Sequence, residues 1–174
     1  MGTRIPDPEP GELRADVESL LPLIAGPSGK PASTMVVLAR SPDLLSPFLG
    51  WAAALALNGV LPKRDHEILA LRAAHNCGSK FEFDEHSDFA RDAGFTDAEI
   101  AAVRRPMSEG DWSASEQALL HAADELCATH DVAQETWEVL ASYYDQPALV
   151  EIVFVVGQYT MLSMVANAAG IDAS

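Results

Sequence analysis

The segment LPKRDHEILALRAAHNCGSKFEFDEHSDFARDAG, residues 61–94, decides the fold because it encodes two helices joined by a tight turn. Its first half is apolar on nearly every side from Glu67 to Ala74, which is typical of a helix that is buried all round. Asn76 to Gly78 form the turn. The second half, residues 79–93, repeats apolar side chains at helical spacing and ends before Gly94. The short connection predicts that the two helices pack as antiparallel neighbours.

The sequence outside this segment also favours helices. Prolines at positions 6, 8 and 10 predict an extended arm over residues 1–10, and a loop is expected from Gly26 to Pro31. Further helices are predicted over 11–25, 33–39, 42–58, 96–104, 113–128, 133–144 and 147–169, with a capping box at Thr96 to Glu99. We expect one all-α domain over residues 1–174, a helical bundle of about seven or eight helices.

Two helices end in a similar sequence. FARDAG at residues 89–94 and VANAAG at residues 165–170 share an Ala-x-x-Ala-Gly ending. This echo is compatible with a duplicated helical hairpin. It is equally compatible with the general frequency of alanine-rich helix ends followed by a glycine stop.

The charge and composition exclude several classes of partner. The chain carries 26 acidic against 11 basic residues, a formal charge of −15, which repels nucleic acid and anionic lipid headgroups. The apolar stretch from Val150 to Ile171 is interrupted by Glu151, Gln158 and Asn167, so we interpret it as a buried core helix rather than a membrane span.

The cysteines and the first residues favour an intracellular, cytoplasmic protein. Cys77 and Cys127 are the two cysteines, and their positions indicate neither a disulfide framework nor a zinc site. Residues 1–11 have no apolar core of signal-peptide length, so export by that route is not predicted.

Three ionisable side chains and one hydroxyl form the candidate chemical site. Ser79, Glu82 and His86 share the apolar face of the second helix, and Glu82 lies four residues before His86. The antiparallel turn brings Glu67 of the first helix to within roughly 3 Å of the same height as His86. Carboxylates beside an imidazole make a proton-transfer set. The alternative is a buried Glu–His pair that only fixes helix packing.

A metal site is a weaker interpretation of the same residues. Glu67, Glu82 and His86 have ligand chemistry, but the di-iron carboxylate pattern needs Glu-x-x-His on two helices, and the interval here is one residue longer with no second copy. We therefore predict no metal and no other cofactor.

The motif Glu-x11-(Cys/Ser)-x2-(Cys/Glu)-x3-His, formed here by Glu67, Ser79, Glu82 and His86, resembles that of the carboxymuconolactone decarboxylase family, which includes the alkylhydroperoxidase D-like proteins. The similarity extends through ELCATHDV at 125–132 and VEIVFVVGQYTMLSMVANAAG at 150–170. The resemblance implies an all-helical, peroxidase-like fold that assembles into homo-oligomers, commonly trimers or hexamers with dimers also open, and a site near the subunit contacts.

The resemblance also indicates which chemistry this chain has lost. In the peroxidase branch the two middle positions are a redox-active Cys-x-x-Cys, and the Glu and His act as a proton relay. Ser79 and Glu82 replace that pair here, so a dithiol cycle at this site is excluded. The decarboxylase-type branch has Tyr-Glu-Trp before its histidine, where this chain has Phe81-Glu82-Phe83.

Several further residues are candidates for substrate contacts. Arg64, one turn before Glu67, and Arg72 are candidates to hold an anionic substrate group. Phe83 is expected beside the substrate, and the Tyr159 hydroxyl is expected either in the cavity or bound to backbone. Cys77 is either a lone reactive thiol at the turn or a small buried residue.

The leading functional hypothesis is a lyase of the carboxymuconolactone decarboxylase type. In it His86, supported by Glu82 or Glu67 and by the Ser79 hydroxyl, moves a proton on a small carbonyl, lactone or carboxylated substrate by decarboxylation or isomerisation. One alternative is an alkylhydroperoxidase D-like oxidoreductase that uses Cys77 alone. The other is a non-catalytic oligomeric binding module.

Overall fold

The structure is a computed structural model that describes residues 3–25 and 29–171, so residues 26–28 of the expected loop lie outside the described part. In these residues nine α-helices and two short 3₁₀ helices make up the fold. The α-helices are α1 Ala15–Leu20, α2 Ser33–Leu38, α3 Pro42–Leu57, α4 Lys63–Asn76, α5 Lys80–Asp92, α6 Asp97–Val103, α7 Ala114–Thr129, α8 Gln134–Tyr143 and α9 Gln146–Ala169.

The all-α class is confirmed, while the length of the first helix differs from the prediction. The nine α-helices correspond to the nine helical ranges predicted along the chain, one more than the expected bundle of about seven or eight, and α1, α2 and α6 have only six or seven residues. The predicted helix over 11–25 is wrong at both ends. Helix α1 begins at Ala15, and after Leu20 the chain tightens into the 3₁₀ helix Leu21–Ile24, where Pro22 supplies no backbone N–H.

Local signals at the helix ends account for most of the boundaries. The capping box is confirmed: the Thr96 hydroxyl accepts the N–H of Glu99, and the Glu99 carboxylate accepts the N–H of Thr96. Gly94 and Gly170 both adopt left-handed backbone after α5 and α9. Each is followed by the 6→1 hydrogen bond of a Schellman motif, which explains the shared Ala-Gly ending of the two helices by cap geometry.

Helix α4 is the centre of the main core. It packs against α5, α7 and α9, and its residues from His66 to Ala74 are all buried. This matches the apolar character of that stretch on every side. A smaller apolar cluster around Val17, Ala39 and Leu45 joins the N-terminal helices α1 to α3. A cavity lies between α2 and α3 on one side and α4, α5 and α9 on the other.

Helix α9 combines a buried side with an exposed apolar side. Among the described residues it is the one helix long and apolar enough to cross a membrane by length and composition, and half of that apolar window is buried inside the protein. The interpretation as a core helix therefore holds for the side that includes Ile152, Val155 and Ala166. The opposite side carries exposed apolar residues.

Candidate active site

The candidate site is the cavity of about 500 Å³ beneath helices α2 and α3. Its roof is apolar and comes from Met35, Phe48, Ala52 and Leu55. Its floor comes from the central helices and contributes most of the polar groups, which are His66, Glu67, Glu82, Glu85, His86, Asp92, Gln158 and Tyr159. The cavity is thus a largely apolar pocket with an acidic floor, the usual construction of a small-molecule site.

Glu67 and His86 form a buried hydrogen-bonded pair in this floor. His86 Nδ1 lies 2.8 Å from Glu67 Oε2, and both residues are 8% exposed. Burial alone lowers the pKa of His86, but the charge and hydrogen bond of Glu67 outweigh it and raise the pKa above its ordinary value. Because Nδ1 is engaged by Glu67, Nε2 is the nitrogen left for a substrate. The pair is the arrangement of an oriented acid–base catalyst.

Glu82 is a second buried carboxyl in the same cavity, one helical turn before His86. Burial raises its pKa, against the opposing effects of the His86 charge and of a hydrogen bond from Thr34. Its Oε1 atom is buried with no hydrogen-bond partner among the described residues. A carboxyl with a raised pKa keeps a proton more readily than an ordinary one, so Glu82 is suited to donate a hydrogen bond.

We expect the substitution Glu82→Gln to stabilise the protein at pH 8 and to leave its stability nearly unchanged at pH 4. The folded-state pKa of Glu82 is above its ordinary value of 4.5. The protonated carboxyl therefore contributes its full share of folding stability below pH 4.5, and this stability is lost as pH rises through the folded pKa. Glutamine stays neutral and avoids this loss. Thermal melts should show a gain of about 2–4 °C at pH 8.

The exposed carboxyl of Glu135 on α8 provides the matched control for this substitution. The substitution Glu135→Gln should leave the melting temperature within about 1 °C of the wild type at both pH values. A melting temperature that drops at pH 8 in Glu82→Gln would show that the carboxylate is instead stabilised in the folded state.

Tyr159 lies in the cavity beside His86, in agreement with one of the two placements expected from sequence. The centroids of the two rings are 4.2 Å apart in an edge-on arrangement. Its hydroxyl is 2.9 Å from His66 Nε2, so it is bound to a side chain rather than to backbone. Burial and the charges of Glu67 and Glu82 raise the pKa of Tyr159, so the phenol stays protonated as a hydrogen-bond donor.

Ser79 and Phe83 do not belong to the cavity, which corrects two of the expected site residues. Ser79 is the N-cap of α5, where its buried hydroxyl accepts the backbone N–H of Glu82 at 3.4 Å. Phe83 is not among the residues that line the cavity, and the Arg104 guanidinium lies over its ring, 3.5 Å from the centroid. Ser79 lies three residues before Glu82, and this spacing led to the expectation that both side chains share one face of the helix. Ser79 instead precedes the first turn of α5, where its hydroxyl caps the helix.

The expectation that Arg64 and Arg72 bind a substrate anion is also corrected, because both guanidinium groups form ion pairs with carboxylates of the protein. Arg64 donates to Glu99 at 2.6 Å and to Glu116 at 2.7 Å. Arg72 makes a two-pronged contact with Asp124 at 2.6 and 2.7 Å. Neither arginine lines the cavity, so neither is placed to hold a substrate anion there.

Cys77 lies at the end of α4, outside the cavity, as the C-cap residue of that helix. Its backbone carbonyl accepts a hydrogen bond from the Asn167 side chain at 2.8 Å. The other cysteine, Cys127 on α7, is half-buried, and burial raises the pKa of its thiol. The placement of Cys77 outside the cavity corrects the expectation of a substrate contact, and its partial exposure differs from the alternative of a small buried residue.

Six polar residues of the cavity were not predicted from the sequence, namely Thr34, Lys63, His66, Glu85, Asp92 and Gln158. His66 is 7% exposed, and burial lowers its pKa, so it is neutral at pH 7. Thr34 reaches Glu82 from α2, and Gln158 of α9 has a buried Oε1 atom without a partner among the described residues. His66 had a signal in the sequence, since it precedes Glu67 in a helix that is buried all round. Thr34 had none.

The described residues contain no group of three or more His, Cys, Asp or Glu side chains arranged to hold a metal ion. The acids of the cavity instead interact with histidines, as in the Glu67–His86 pair. The donor set therefore fits proton exchange between side chains better than metal coordination.

The fold and the site together define a class: an all-α protein whose central helix pair carries a buried Glu–His pair facing an apolar cavity. The sequence profile described as the Carboxymuconolactone decarboxylase family matches residues 42–125, which include Glu67, Ser79, Glu82 and His86. This stretch, just under half of the chain, is thus similar to the carboxymuconolactone decarboxylase family, the resemblance that the motif indicated.

Solved structures with the same fold cover nearly the whole chain. An uncharacterized peroxidase-related protein from Silicibacter sp. TM1040 has 17% identity and a TM-score of 0.86, over 99% of this chain and 92% of the other. The alkylhydroperoxidase AhpD core, an uncharacterized peroxidase-related protein from Ralstonia eutropha JMP134, has 22% identity and a TM-score of 0.81, with the same coverage of both chains.

The debrominase Bmp8 in complex with 2,3,4-tribromopyrrole is a further similar structure. Its identity is 19% and its TM-score 0.80, over 99% of this chain and 90% of that one. At these identities the likeness shows the fold alone. No curated protein matches the sequence.

Proposed function

We propose that the protein is an acid–base enzyme that moves protons on a small, mainly apolar carbonyl or lactone compound. The observation that carries the proposal is the buried His86–Glu67 pair, 2.8 Å apart, facing the same cavity as the protonatable Glu82. An imidazole oriented by a carboxylate, next to a carboxyl group with a raised pKa, supplies both a base and an acid.

The reaction begins when neutral His86 accepts, at Nε2, a proton from a carbon next to the substrate carbonyl. The electron pair of the broken C–H bond moves into the carbonyl, and the resulting enolate oxygen receives a hydrogen bond from the carboxyl of Glu82. Glu67 stabilises the imidazolium that forms. Return of the proton from His86 to a different carbon completes an isomerisation and restores every group to its starting state.

Decarboxylation would use the same groups in the second half of the reaction. When the carboxylate of a β-keto or vinylogous acid leaves as carbon dioxide, its bonding electrons form the same enolate. Protonated His86 then delivers a proton to carbon. Both outcomes therefore require one acid–base residue and one hydrogen-bond donor, which are His86 and Glu82 here.

The polar lining of the cavity favours an uncharged substrate over a polyanion. Four of its side chains are acidic, and Lys63 is the single lysine or arginine among the described lining residues. The two arginines expected to bind an anion are occupied elsewhere. The bound 2,3,4-tribromopyrrole of debrominase Bmp8 is likewise a small ring without a carboxylate, which is compatible with a neutral ring in this fold.

Proton exchange in D₂O tests the proposal even though the natural substrate is not identified. A panel of cyclic ketones, unsaturated ketones and enol lactones is incubated with the enzyme, and loss of the α-proton signals is followed by ¹H NMR. We expect enzyme-dependent exchange for at least one compound and a rate at least about 100-fold lower in Glu67→Gln. The substitution Arg64→Ala, outside the cavity, should keep most of the rate.

Three results would contradict the proposal. An α-proton exchange rate that is equal in the wild type and in Glu67→Gln would show that the Glu67–His86 pair takes no part in the reaction. Activity towards peroxides that disappears in Cys77→Ser would instead indicate a thiol oxidoreductase. Tight binding of a panel compound without exchange would favour the non-catalytic binding module.

A further inference from the structure

Cys77 and Cys127, the two cysteines of the chain, lie side by side in the structure although they are 50 residues apart in the sequence. Cys77 directly follows the last residue of α4, and Cys127 lies in the last turn of α7. The two helices pack against each other, and the Cys127 thiol is within hydrogen-bonding reach of the Cys77 thiol and of the Asn76 side chain. The fold thus brings together two thiols whose positions in the sequence had indicated no disulfide.

Polar contacts fix the ends of α4 and α7 beside the two thiols. Asp124 lies on α7, three residues before Cys127. Its carboxylate accepts hydrogen bonds from the Arg72 guanidinium at 2.6 and 2.7 Å and from the Asn76 side chain at 2.8 Å. Both donors belong to α4, so these bonds hold one helix in a fixed register against the other. A fixed register favours a disulfide, because this bond forms without strain only between residues whose backbones are already close.

Helix α9 also contacts both cysteines. The hydroxyl oxygen of Thr160 lies 3.7 Å from Cys127 Sγ, and the Asn167 side chain donates to the backbone carbonyl of Cys77 at 2.8 Å. Each cysteine is therefore positioned by a contact outside its own helix. The two sulfur atoms, already within hydrogen-bonding reach, need only a small movement to approach the S–S bond length of about 2 Å.

Small reagents can reach this pair of cysteines from solvent. Both cysteines are partly exposed. Cys127 also lines a cleft of about 350 Å³, whose other lining residues are Arg72, Asn76, Asp124 and Ala128. The cleft shares no lining residue with the candidate active site, so the two sites are separate. A polar cleft beside a thiol suits a small polar disulfide such as oxidised glutathione.

We propose that Cys77 and Cys127 form a reversible disulfide by exchange with a low-molecular-weight disulfide. One cysteine thiolate attacks a sulfur atom of the reagent, whose S–S bond breaks and releases a first thiolate. The other cysteine loses its proton to solvent and attacks the mixed disulfide, which releases the second thiolate. The two protein thiols lose two electrons and the reagent gains them. The two released thiolates take up the protons that the cysteines lost.

The disulfide connects the turn between α4 and α5 to the end of α7. It closes a loop of about 50 residues that contains the whole of α5, with Glu82 and His86. A cross-link of this length stabilises a protein by restricting the unfolded chain. The cysteine pair is therefore a redox-sensitive link beside the helices of the candidate active site, and it takes no part in proton transfer.

Intact mass spectrometry of the full chain in a glutathione redox buffer tests the proposal. After incubation with oxidised glutathione, the reaction is quenched with acid and the free thiols are blocked with iodoacetamide. We expect the wild type to lose two hydrogen atoms and to carry neither glutathione nor iodoacetamide. Peptide mapping should join Cys77 to Cys127, and dithiothreitol should reverse the change. The melting temperature of the oxidised chain should lie about 5–10 °C above that of the reduced chain.

Three variants distinguish a cysteine pair from two independent thiols. Cys77→Ser and Cys127→Ser should each stop at a mixed disulfide with glutathione, and oxidation should not raise their melting temperatures. The combination of Cys127→Ser with Thr129→Cys is the matched control. It moves the thiol two residues along α7, to a different side of the helix, and should likewise give mixed disulfides without a cross-link. All variants should give a circular dichroism spectrum like that of the wild type.

Three outcomes would overturn the proposal. The first is a wild type that carries glutathione on both cysteines, and the second is a disulfide between two chains on a non-reducing gel. The third is a wild type whose thiols stay free at a glutathione ratio at which the thiol of the Thr129→Cys variant reacts. No substrate enters these measurements, so their result is independent of the proposed acid–base activity.

Discussion

The substitution His86→Gln is expected to lower the rate of enzyme-dependent α-proton exchange by about 10²- to 10⁴-fold, the range that a positioned acid–base group contributes. Glutamine preserves much of the volume and can still accept or donate hydrogen bonds, but it does not carry a proton between carbon and solvent. His86 is 8% exposed and bound to Glu67, so a smaller residue would leave that carboxylate buried and unpaired.

The measurement is the ¹H NMR exchange rate of the best panel compound at saturating concentration, together with the concentration that gives half the maximal rate. We expect the maximal rate to fall while this concentration changes little, because the apolar roof of the cavity still binds the compound. The substitution His66→Gln is the matched control. It alters a buried histidine that contacts Tyr159 and has no carboxylate hydrogen-bonded to it among the described residues, and we expect a smaller loss. Equal losses in both variants would show that His86 has no special role.

The substitution Arg72→Met is expected to cause the largest loss of stability, about 3 kcal/mol. The Arg72 guanidinium joins α4 to Asp124 of α7 and also donates to the backbone carbonyls of Val103 and Arg105. Methionine fills similar space but leaves these four acceptors without their donor. Thermal or urea unfolding measures the effect, and a loss of this size corresponds to about 6–12 °C in melting temperature for a chain of this length.

The pH dependence of that loss identifies its cause. Burial raises the pKa of Asp124, but the hydrogen bonds from Arg72 and Asn76 outweigh it and lower the pKa below its ordinary value of 3.8. The ionised carboxylate therefore stabilises the folded state above pH 3.8, and this contribution is lost as pH falls through the lower folded pKa. The difference in the free energy of unfolding between the wild type and Arg72→Met should thus become smaller below pH 3.8.

An exposed arginine with two acidic neighbours provides the comparison. Arg91 contacts Asp88 and Asp97, and its side chain is about half exposed. The substitution Arg91→Met should cost less than about 1 kcal/mol, because exposed ion pairs contribute little. If Arg72→Met loses no more stability than Arg91→Met, the contact of Arg72 between α4 and α7 does not contribute more to stability than an exposed ion pair.

The sequence predicted the elements of the fold well where local signals are strong. Gly94, Gly170 and the Thr96 capping box determine helix ends through their own backbone geometry, so those boundaries agree with the structure. The first helix was predicted too long because periodicity continues through Pro22, whereas the missing N–H of that residue changes the hydrogen-bond pattern. Helix spacing also brought Glu67 level with His86, and the structure places the two side chains in contact.

The site was less predictable because it depends on contacts between distant residues. Arg64 lies one turn from Glu67, yet its environment is set by Glu99 and Glu116, which follow 35 and 52 residues later. The same is true of Thr34, which reaches Glu82 from the opposite side of the cavity. Spacing along one helix gives the face of a side chain, but the partner that occupies that face comes from tertiary packing.

The protonation of His86 is the most direct test of the central claim that Glu67 and His86 form an acid–base pair. A pH titration followed by ¹H–¹⁵N NMR of the histidine side chains, with His86 assigned from the His86→Gln variant, measures its pKa in the wild type and in Glu67→Gln. We expect a wild-type pKa above the ordinary 6.5 that falls clearly in Glu67→Gln, with Nδ1 carrying the proton in the neutral wild-type ring. An equal pKa in the two proteins would contradict the claim.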